Sequence, residues 1–553
     1  MMSALVDNAP RYDFIVVGAG SAGCAVAARL SESGRFRVLL LEAGEDDSWV
    51  WLKVPLGAGK ILYTERGLWR FYTEPESNLA GRRMFWPRGR VLGGSSTVNG
   101  MLWVRGDPLE YDHWRDLGNP GWGYDDVLPH LRRSESYAGG DAALRGRDGP
   151  VDIDRFSRGE DTLGDAFHDA YVEAGIPATS DYNGAQYEGV AYLQTNTRRG
   201  LRVGSREAYL SPARGRANLV VQTGALVRRI RVEDGAATGV EFSVGNEQRI
   251  AHAGREVIVS ACAIQSPQLL ELSGIGDASR LQALGIPSVA HLPGVGENCR
   301  DHLQARVSFE CTRPVTLNDI LSSPVRKAWM GLNYLIRRKG PMSACTVTVH
   351  AVAKTAPALP RPDVKIAMYT LSAADPRHPT ELVLDKFPGF GIGSFALRPE
   401  SKGSVHIRSA DPTEPPEIVA NYLADERDQK TSIAGLRLAR RLASQSSFKP
   451  LVVREVRPGP EAESDEVLLE HIAKLGATSY HPVGTCKMGS DPMAVVDQRL
   501  RVRGVRGLRV TDASIMPTIV SSNTHAPAVM IGERCAEFLL QDARQNVSPA
   551  AVA

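Results

Sequence analysis

Apolar and polar positions follow two rhythms along this chain. Tyr12-Asp13-Phe14-Ile15-Val16-Val17 is a mostly apolar run of buried-strand length that stops at Gly18-Ala19-Gly20-Ser21-Ala22-Gly23. CAVAARLSES then carries small and apolar residues at helical spacing, and Arg37-Val38-Leu39-Leu40-Leu41-Glu42 reads as a second buried strand. Strand, turn, helix and strand together have the length of a βαβ unit. From Leu219 to Val257 the rhythm becomes a two-residue alternation with Asp234-Gly235 inside it, which predicts antiparallel hairpins. Arg255 to Ala261 is again apolar and predicts a strand that returns to the first sheet, as does Leu508 to Ala513. APAVMIGERCAEFLLQ then shows helical spacing.

Elsewhere the pattern weakens. Trp86 to Gly106 is rich in Gly, Ser and Arg, too polar for a core strand, and predicts a long functional loop. Periodicity fades between about 150 and 215. Mixed strands and helices fill about 305 to 490, with Pro-rich joints at 357–362 and 411–416. No internal repeat is found.

Length and composition restrict the reading further. A chain of 553 residues exceeds one simple core, so two or more lobes interleaved in sequence are expected. A formal net charge of +2 gives no reason to expect a nucleic-acid partner. The 7 cysteines form no Cys-x-x-Cys pair, which suggests neither a disulfide framework nor a zinc site and points to a reducing, cytoplasmic compartment. The N-terminal apolar run lacks a basic flank and is broken by three glycines, so it does not read as a signal peptide. No membrane span is expected. Peripheral association with the inner face of a membrane stays open.

GAGSAG fits the G-x-G-x-x-G fingerprint: Gly18 for the tight turn, Gly20 for backbone approach to a pyrophosphate, Gly23 for close helix packing. The helix N-terminus behind it favours anions. Glu42, 19 residues past Gly23, stands where an acid accepts hydrogen bonds from a ribose diol. The fingerprint alone does not separate NAD from FAD.

Three further stretches carry a resemblance. Gly89-Arg-Val-Leu-Gly-Gly-Ser-Ser-Thr-Val-Asn-Gly-Met-Leu-Trp103 resembles the first signature of the glucose-methanol-choline (GMC) family of flavin oxidoreductases. Ala263 to Gly276 resembles the second, with Cys262 where Gly or Ser is usual. His481-Pro-Val-Gly-Thr-Cys-Lys-Met-Gly489, with Asp512 to Pro517 and Asn523-Thr-His-Ala-Pro527, resembles the C-terminal active-site segments. The resemblance implies an α/β (α+β overall) fold, with a Rossmann-like FAD-binding domain at 10–150, 210–305 and 495–545. A substrate domain on an antiparallel sheet with helices would take 151–209 and 306–494. The implied cofactor is FAD, held by Gly18, Gly20, Ser21, Ala22 and Gly23 in the turn and by Glu42 and Ala43 after the second strand. Arg90, Leu92, Gly94, Ser95, Asn99, Gly100, Met101 and Leu102 would contribute from the glycine loop and Val227 from a hairpin. Asp512, Ala513, Ala526, Pro527 and Met530 would contribute near the C-terminus. Members with covalent flavin carry a histidine where this chain has Val98, so non-covalent FAD is expected.

By itself His481 admits three readings: a base, a metal ligand beside Cys486 and Met488, or a packed histidine. The resemblance implies the first, with His525 as second member of a catalytic pair, Cys486 and Met488 as scaffold, and no metal. His113, His130, His291 and His302 match nothing catalytic. The implied reaction is oxidation of a primary alcohol, aliphatic or aromatic, to an aldehyde: His481 takes the hydroxyl proton and hydride passes to flavin N5. Reoxidation would be by a quinone, another acceptor or O2. The pattern is nearest the choline and primary-alcohol dehydrogenase branch, yet His525, where many of that branch have Asn, weakens choline as substrate. A redox-neutral hydroxynitrile lyase is the alternative. The pair of histidines argues against a light-driven fatty-acid decarboxylase.

Overall fold

The computed structural model describes residues 9–375 and 382–545. Among these, two seven-stranded sheets organise the chain. In the first, Arg11–Val17 lies between Val38–Leu41 and the long strand Glu247–Val259, parallel to both, and Leu219–Gln222 extends the edge beyond Val38–Leu41. Leu508–Val510 joins the end of Glu247–Val259, also in parallel. The four residues Val38 to Leu41 are all buried, as expected of a parallel sheet covered on both faces. The other half of Glu247–Val259 belongs to an antiparallel meander with Ala236–Val244 and Ala225–Glu233. Its turn is Asp234-Gly235, both at positive φ (50° and 71°), the conformation a two-residue hairpin requires.

The second sheet is antiparallel, in the order Val452–Arg457, Leu303–Cys311, Gly389–Ala396, Val364–Tyr369, Val349–Ala353, Gly189–Tyr192. Side chains alternate between its faces. Ala305, Val307, Ile366, Phe390 and Ile392 point to a core closed by Ile433, Leu436 and Leu442 of the helix Glu426–Ala443. Gly435 of that helix touches the sheet closely enough that a Cβ would lie 2.3 Å from Ser394 Oγ. Gln304, Arg306, Lys365 and Tyr369 take the opposite face.

Two expectations change. The stretch from Trp86 opens as a strand, Phe85–Gly89, paired with Leu68–Tyr72, and Trp86 is fully buried with its Nε1 donating to Tyr422. Arg88 is buried by the same pairing, so local polarity misleads there. The cores also draw on residues far along the chain: Phe71, Leu79, Met84 and Trp86 pack in the second core while Val483, Cys486 and Met488 pack in the first, which changes the expectation of which segments share a core. Among the described residues no helix is long and apolar enough to cross a membrane.

Candidate active site

A cavity of about 550 Å³ runs from the glycine turn, past Glu42 and the loop at Gly94 to Asn99, to His481 and the open face of the second sheet. Its first end is shaped by missing side chains. Gly18 has φ +97°, and a Cβ there would lie 2.4 Å from Ser260 O; at Gly23 it would lie 2.0 Å from Gly18 O. At Gly94 (φ +54°) it would lie 2.7 Å from Gly20 Cα, so the two glycine segments wall one narrow space. Glu42 accepts the Ala19 and Gly44 N–H groups at 2.9 and 2.8 Å, and burial raises its pKa to about 7. Each of its oxygens keeps a lone pair for a ribose hydroxyl.

The helix Ser21–Ser31 and the C-terminal helix His525–Gln545 both begin at the cavity, and they approach so closely that a Cβ on Gly532 would meet Ala22 O at 2.6 Å. Two helix N-termini at one cavity wall favour an anionic group. His525 Nδ1 is 3.1 Å from Ser21 Oγ, and its ring lies edge-on to Trp103 with centroids 5.4 Å apart. His525 Nε2 is buried on that wall without a partner among the described residues, an atom that the polar edge of a bound FAD would satisfy. Burial, then the Arg202 charge, lowers the His525 pKa to about 4.

Of the residues implied to hold FAD, Gly20, Ser21, Ala22, Ala43, Ser95, Asn99, Gly100, Met101, Leu102, Val227, Asp512 and Ala513 also line the cavity. Gly23, Arg90, Leu92, Ala526, Pro527 and Met530 do not. Gly23 packs on Gly18, Arg90 stacks over Trp69 at 4.3 Å, and Leu92, Ala526 and Met530 sit in the first core. Asp512 accepts from Cys262 N–H, Ser266 O–H and Ser514 N–H at 3.0, 2.6 and 2.8 Å, at the start of the helix Cys262–Leu272 and of the short turn Ala513–Ile515. Cys262 itself has φ +69°, which explains why glycine suits that position. Val98 is a buried hydrocarbon packed with Leu52, Ile61 and Leu68 and offers no atom for a covalent bond to flavin.

At the other end, the loop bearing His481 is pinned on both sides. Asp301 Oδ1 accepts the His481 N–H at 2.7 Å, and its Oδ2 accepts the hydroxyls of Thr478 and Tyr422. Arg88 donates twice to Tyr480 O, and Thr485 donates to Ala263 O. The imidazole is held as firmly. His302 Nε2 is 3.1 Å from Leu397 O, and a carbonyl only accepts, so that nitrogen carries the proton. His302 Nδ1 therefore accepts from His481 Nδ1–H at 3.0 Å, which leaves the lone pair of His481 on Nε2. Asn523 Nδ2 donates to that lone pair at 3.0 Å. The amide orientation is fixed independently, because Lys365 Nζ donates to Asn523 Oδ1 at 2.6 Å and to Ser522 Oγ at 2.9 Å. Burial lowers the His481 pKa well below 6.5, helped by His302 and Lys365, and lowers that of His302 to about 3. Lys365 is buried without a carboxylate partner among the described residues, and burial lowers its pKa to about 7.

His525 lines the same cavity but faces Ser21 and Trp103, and the group against His481 Nε2 is Asn523. His302 is also no bystander: it sets the tautomer of His481. The sequence offered Asn523 inside its NTHAP segment, while Lys365 and His302 carry no motif of their own. Cys486 and Met488 are fully buried in the first core.

Comparison with known proteins agrees with this cavity. A GMC oxidoreductase N-terminal model matches residues 12–304, and the C-terminal one matches 399–532. The oxygen-dependent choline dehydrogenase of Vibrio vulnificus (strain YJ016) is 40% identical over 532 residues, 96% of this chain and 94% of that protein. The mitochondrial choline dehydrogenase of Homo sapiens is 40% identical over 552 residues, 98% and 91% of the two. The crystal structure of pyridoxine 4-oxidase from Mesorbium loti superposes with a TM-score of 0.87 at 30% identity, covering 96% of this chain and 99% of that one. With its glycine-walled cavity, paired helix starts and buried histidines, the chain belongs to the GMC oxidoreductase family and is an FAD-dependent oxidoreductase acting on CH–OH donors.

Proposed function

We propose that the protein oxidises a neutral primary alcohol, aliphatic or aromatic, to an aldehyde, with His481 as the base. The observation that carries this reading is the fixed lone pair on His481 Nε2, held toward the cavity by the His302–Leu397 hydrogen-bond chain. FAD, when bound, supplies the hydride acceptor. The protein supplies the rest. The substrate hydroxyl displaces Asn523 Nδ2–H from the His481 Nε2 lone pair, and Asn523 Nδ2 then donates to the substrate oxygen as negative charge develops. His481 Nε2 removes the proton and gives it up to solvent before the next turnover, since burial and the Lys365 charge both oppose the imidazolium. A quinone, another acceptor or O2 then takes the electrons.

The depressed pKa of His481 has a pH consequence. Its neutral form persists below pH 6.5, so kcat/KM is expected to stay level through neutrality and to fall only on an acid limb below that value. Lys365 loses its charge as pH rises through about 7, but the neutral amine still donates to Asn523 and Ser522. A pH profile with its acid limb at or above 6.5 contradicts this assignment.

The open face of the second sheet argues for a neutral alcohol over choline. The cavity there is lined by Lys365, Arg306 and Arg88, with no ion pair to a carboxylate among the described residues. Two aromatic faces on that sheet are already covered: Arg306 lies 3.9 Å over Tyr369, above the gap left by Gly393, and Phe395 stacks on His302. A cation entering beside them is repelled. The test is anaerobic flavin reduction across a panel of n-alkanols, benzyl alcohol and choline. The expected result is a kcat/KM for choline about tenfold or more below that of a neutral alcohol of similar size. The gap should narrow as pH rises through about 7. Choline as the best of the panel contradicts the reading.

A further inference from the structure

The helix Pro324–Arg337 wears its apolar face outward. Val325, Trp329, Leu332 and Ile336 recur at i, i+4, i+7 and i+11, a single stripe, and are 79, 68, 48 and 72% exposed; Leu335 beside them is 67% exposed. Met330 and Tyr334 are the residues that face the protein. A solvated helix of a soluble protein has the reverse arrangement, so this stripe calls for an occupant. The charges beside it say which kind. Arg326, Lys327, Arg337 and Lys339 are exposed, and from 324 to 339 there is no Asp or Glu. Of these only Lys339 meets a carboxylate among the described residues, Glu160 at 3.3 Å. A second copy of this chain would have to bury that basic rim against itself, whereas an anionic bilayer surface satisfies rim and stripe together.

We propose that this helix lies in the plane of an anionic lipid bilayer, its apolar stripe among the acyl chains and its basic residues on the phosphates. The placement fits the fold around it. Met330 packs with Leu371 and Leu382, and both of those line the active-site cavity, so the seated helix sets the bilayer one side chain away from the cavity wall.

The test uses the FAD-loaded full chain and sedimentation with vesicles of phosphatidylcholine alone or with phosphatidylglycerol. Binding to the anionic vesicles is expected, with affinity falling as salt is raised. Trp329→Ser with Leu335→Ser and Ile336→Ser should weaken it by about tenfold or more. Lys327→Glu with Arg337→Glu should remove the preference for phosphatidylglycerol. These positions are exposed, and unchanged FAD content and melting temperature will show that the variants fold. In parallel, a Trp329→Phe protein should lose the fluorescence quenching by brominated lipid that the parent shows. Failure to sediment with either vesicle overturns the proposal. So does a dimer in analytical ultracentrifugation that the triple variant converts to monomer, since the stripe would then belong to a second copy. Equal binding to both vesicles overturns the part assigned to the basic rim.

Discussion

His481→Ala is expected to lower kcat for alcohol oxidation by about 10²- to 10⁴-fold, the usual contribution of a positioned base, while the purified protein keeps its FAD. The separation follows from the layout. His481 sits at the sheet end of the cavity and, among the described residues, hydrogen-bonds to His302, Asn523 and Asp301, none of them in the glycine turn. The loop should survive the change, because its clamps run through the His481 backbone N–H, Tyr480 O and Thr485. His302→Ala should then give a milder loss that includes a shift of the acid limb, since removing the Nδ1 acceptor frees the His481 tautomer. Absorbance of bound flavin and single-turnover reduction rates measure both. An unchanged kcat in His481→Ala would reduce the histidine to packing.

Asn523→Ala is expected to cost about 10²- to 10³-fold in kcat, as the loss of one oriented donor to a developing oxyanion does. His525→Ala should cost less in kcat and show itself as weaker FAD retention, because that ring faces Ser21 and Trp103 and leaves Nε2 unsatisfied on the cofactor side. The two variants thus discriminate between the pair expected from the sequence and the pair found in the structure. Steady-state kinetics with FAD-saturated enzyme, beside a titration of flavin release, reads the difference. A larger kcat loss for His525→Ala restores the expected pair.

Much of the frame is readable because it rests on local physics. The buried strand, glycine turn and helix at 12–30 have no alternative structure that satisfies their backbone and apolar side chains together, and the Asp234-Gly235 hairpin demands its two positive φ values. What local physics does not carry is the meeting of distant segments. His302 comes to His481 only because Leu303–Cys311 pairs with the residues just before that loop, Leu303 against Thr478. Lys365 reaches Asn523 across lobes that are 158 residues apart in the chain. A lysine in an otherwise apolar strand is the one local hint, since a buried amine requires partners. The contact between His481 and Asn523 is hidden for a related reason. A histidine in NTHAP is the more suggestive residue type, but His525 at the helix start lies against Ser21 of the other helix start. The strand at Phe85–Gly89 is hidden locally because the acceptor that satisfies its buried Arg88, Tyr480 O, lies 392 positions away.

Under the function proposed above, choline is disfavoured by Arg306 and Lys365, which the two-residue alternation of Leu303–Cys311 and Val364–Tyr369 brings to one face of the second sheet.

Net oxidation of an alcohol by base-assisted hydride transfer is decided by anaerobic mixing of the oxidised enzyme with a primary alcohol and with its α,α-dideuterated form. The flavin should bleach with one aldehyde formed per flavin, and deuterium should slow the reaction. A flavin spectrum that stays oxidised with every alcohol, while the protein cleaves a hydroxynitrile to carbonyl compound and cyanide, would contradict it.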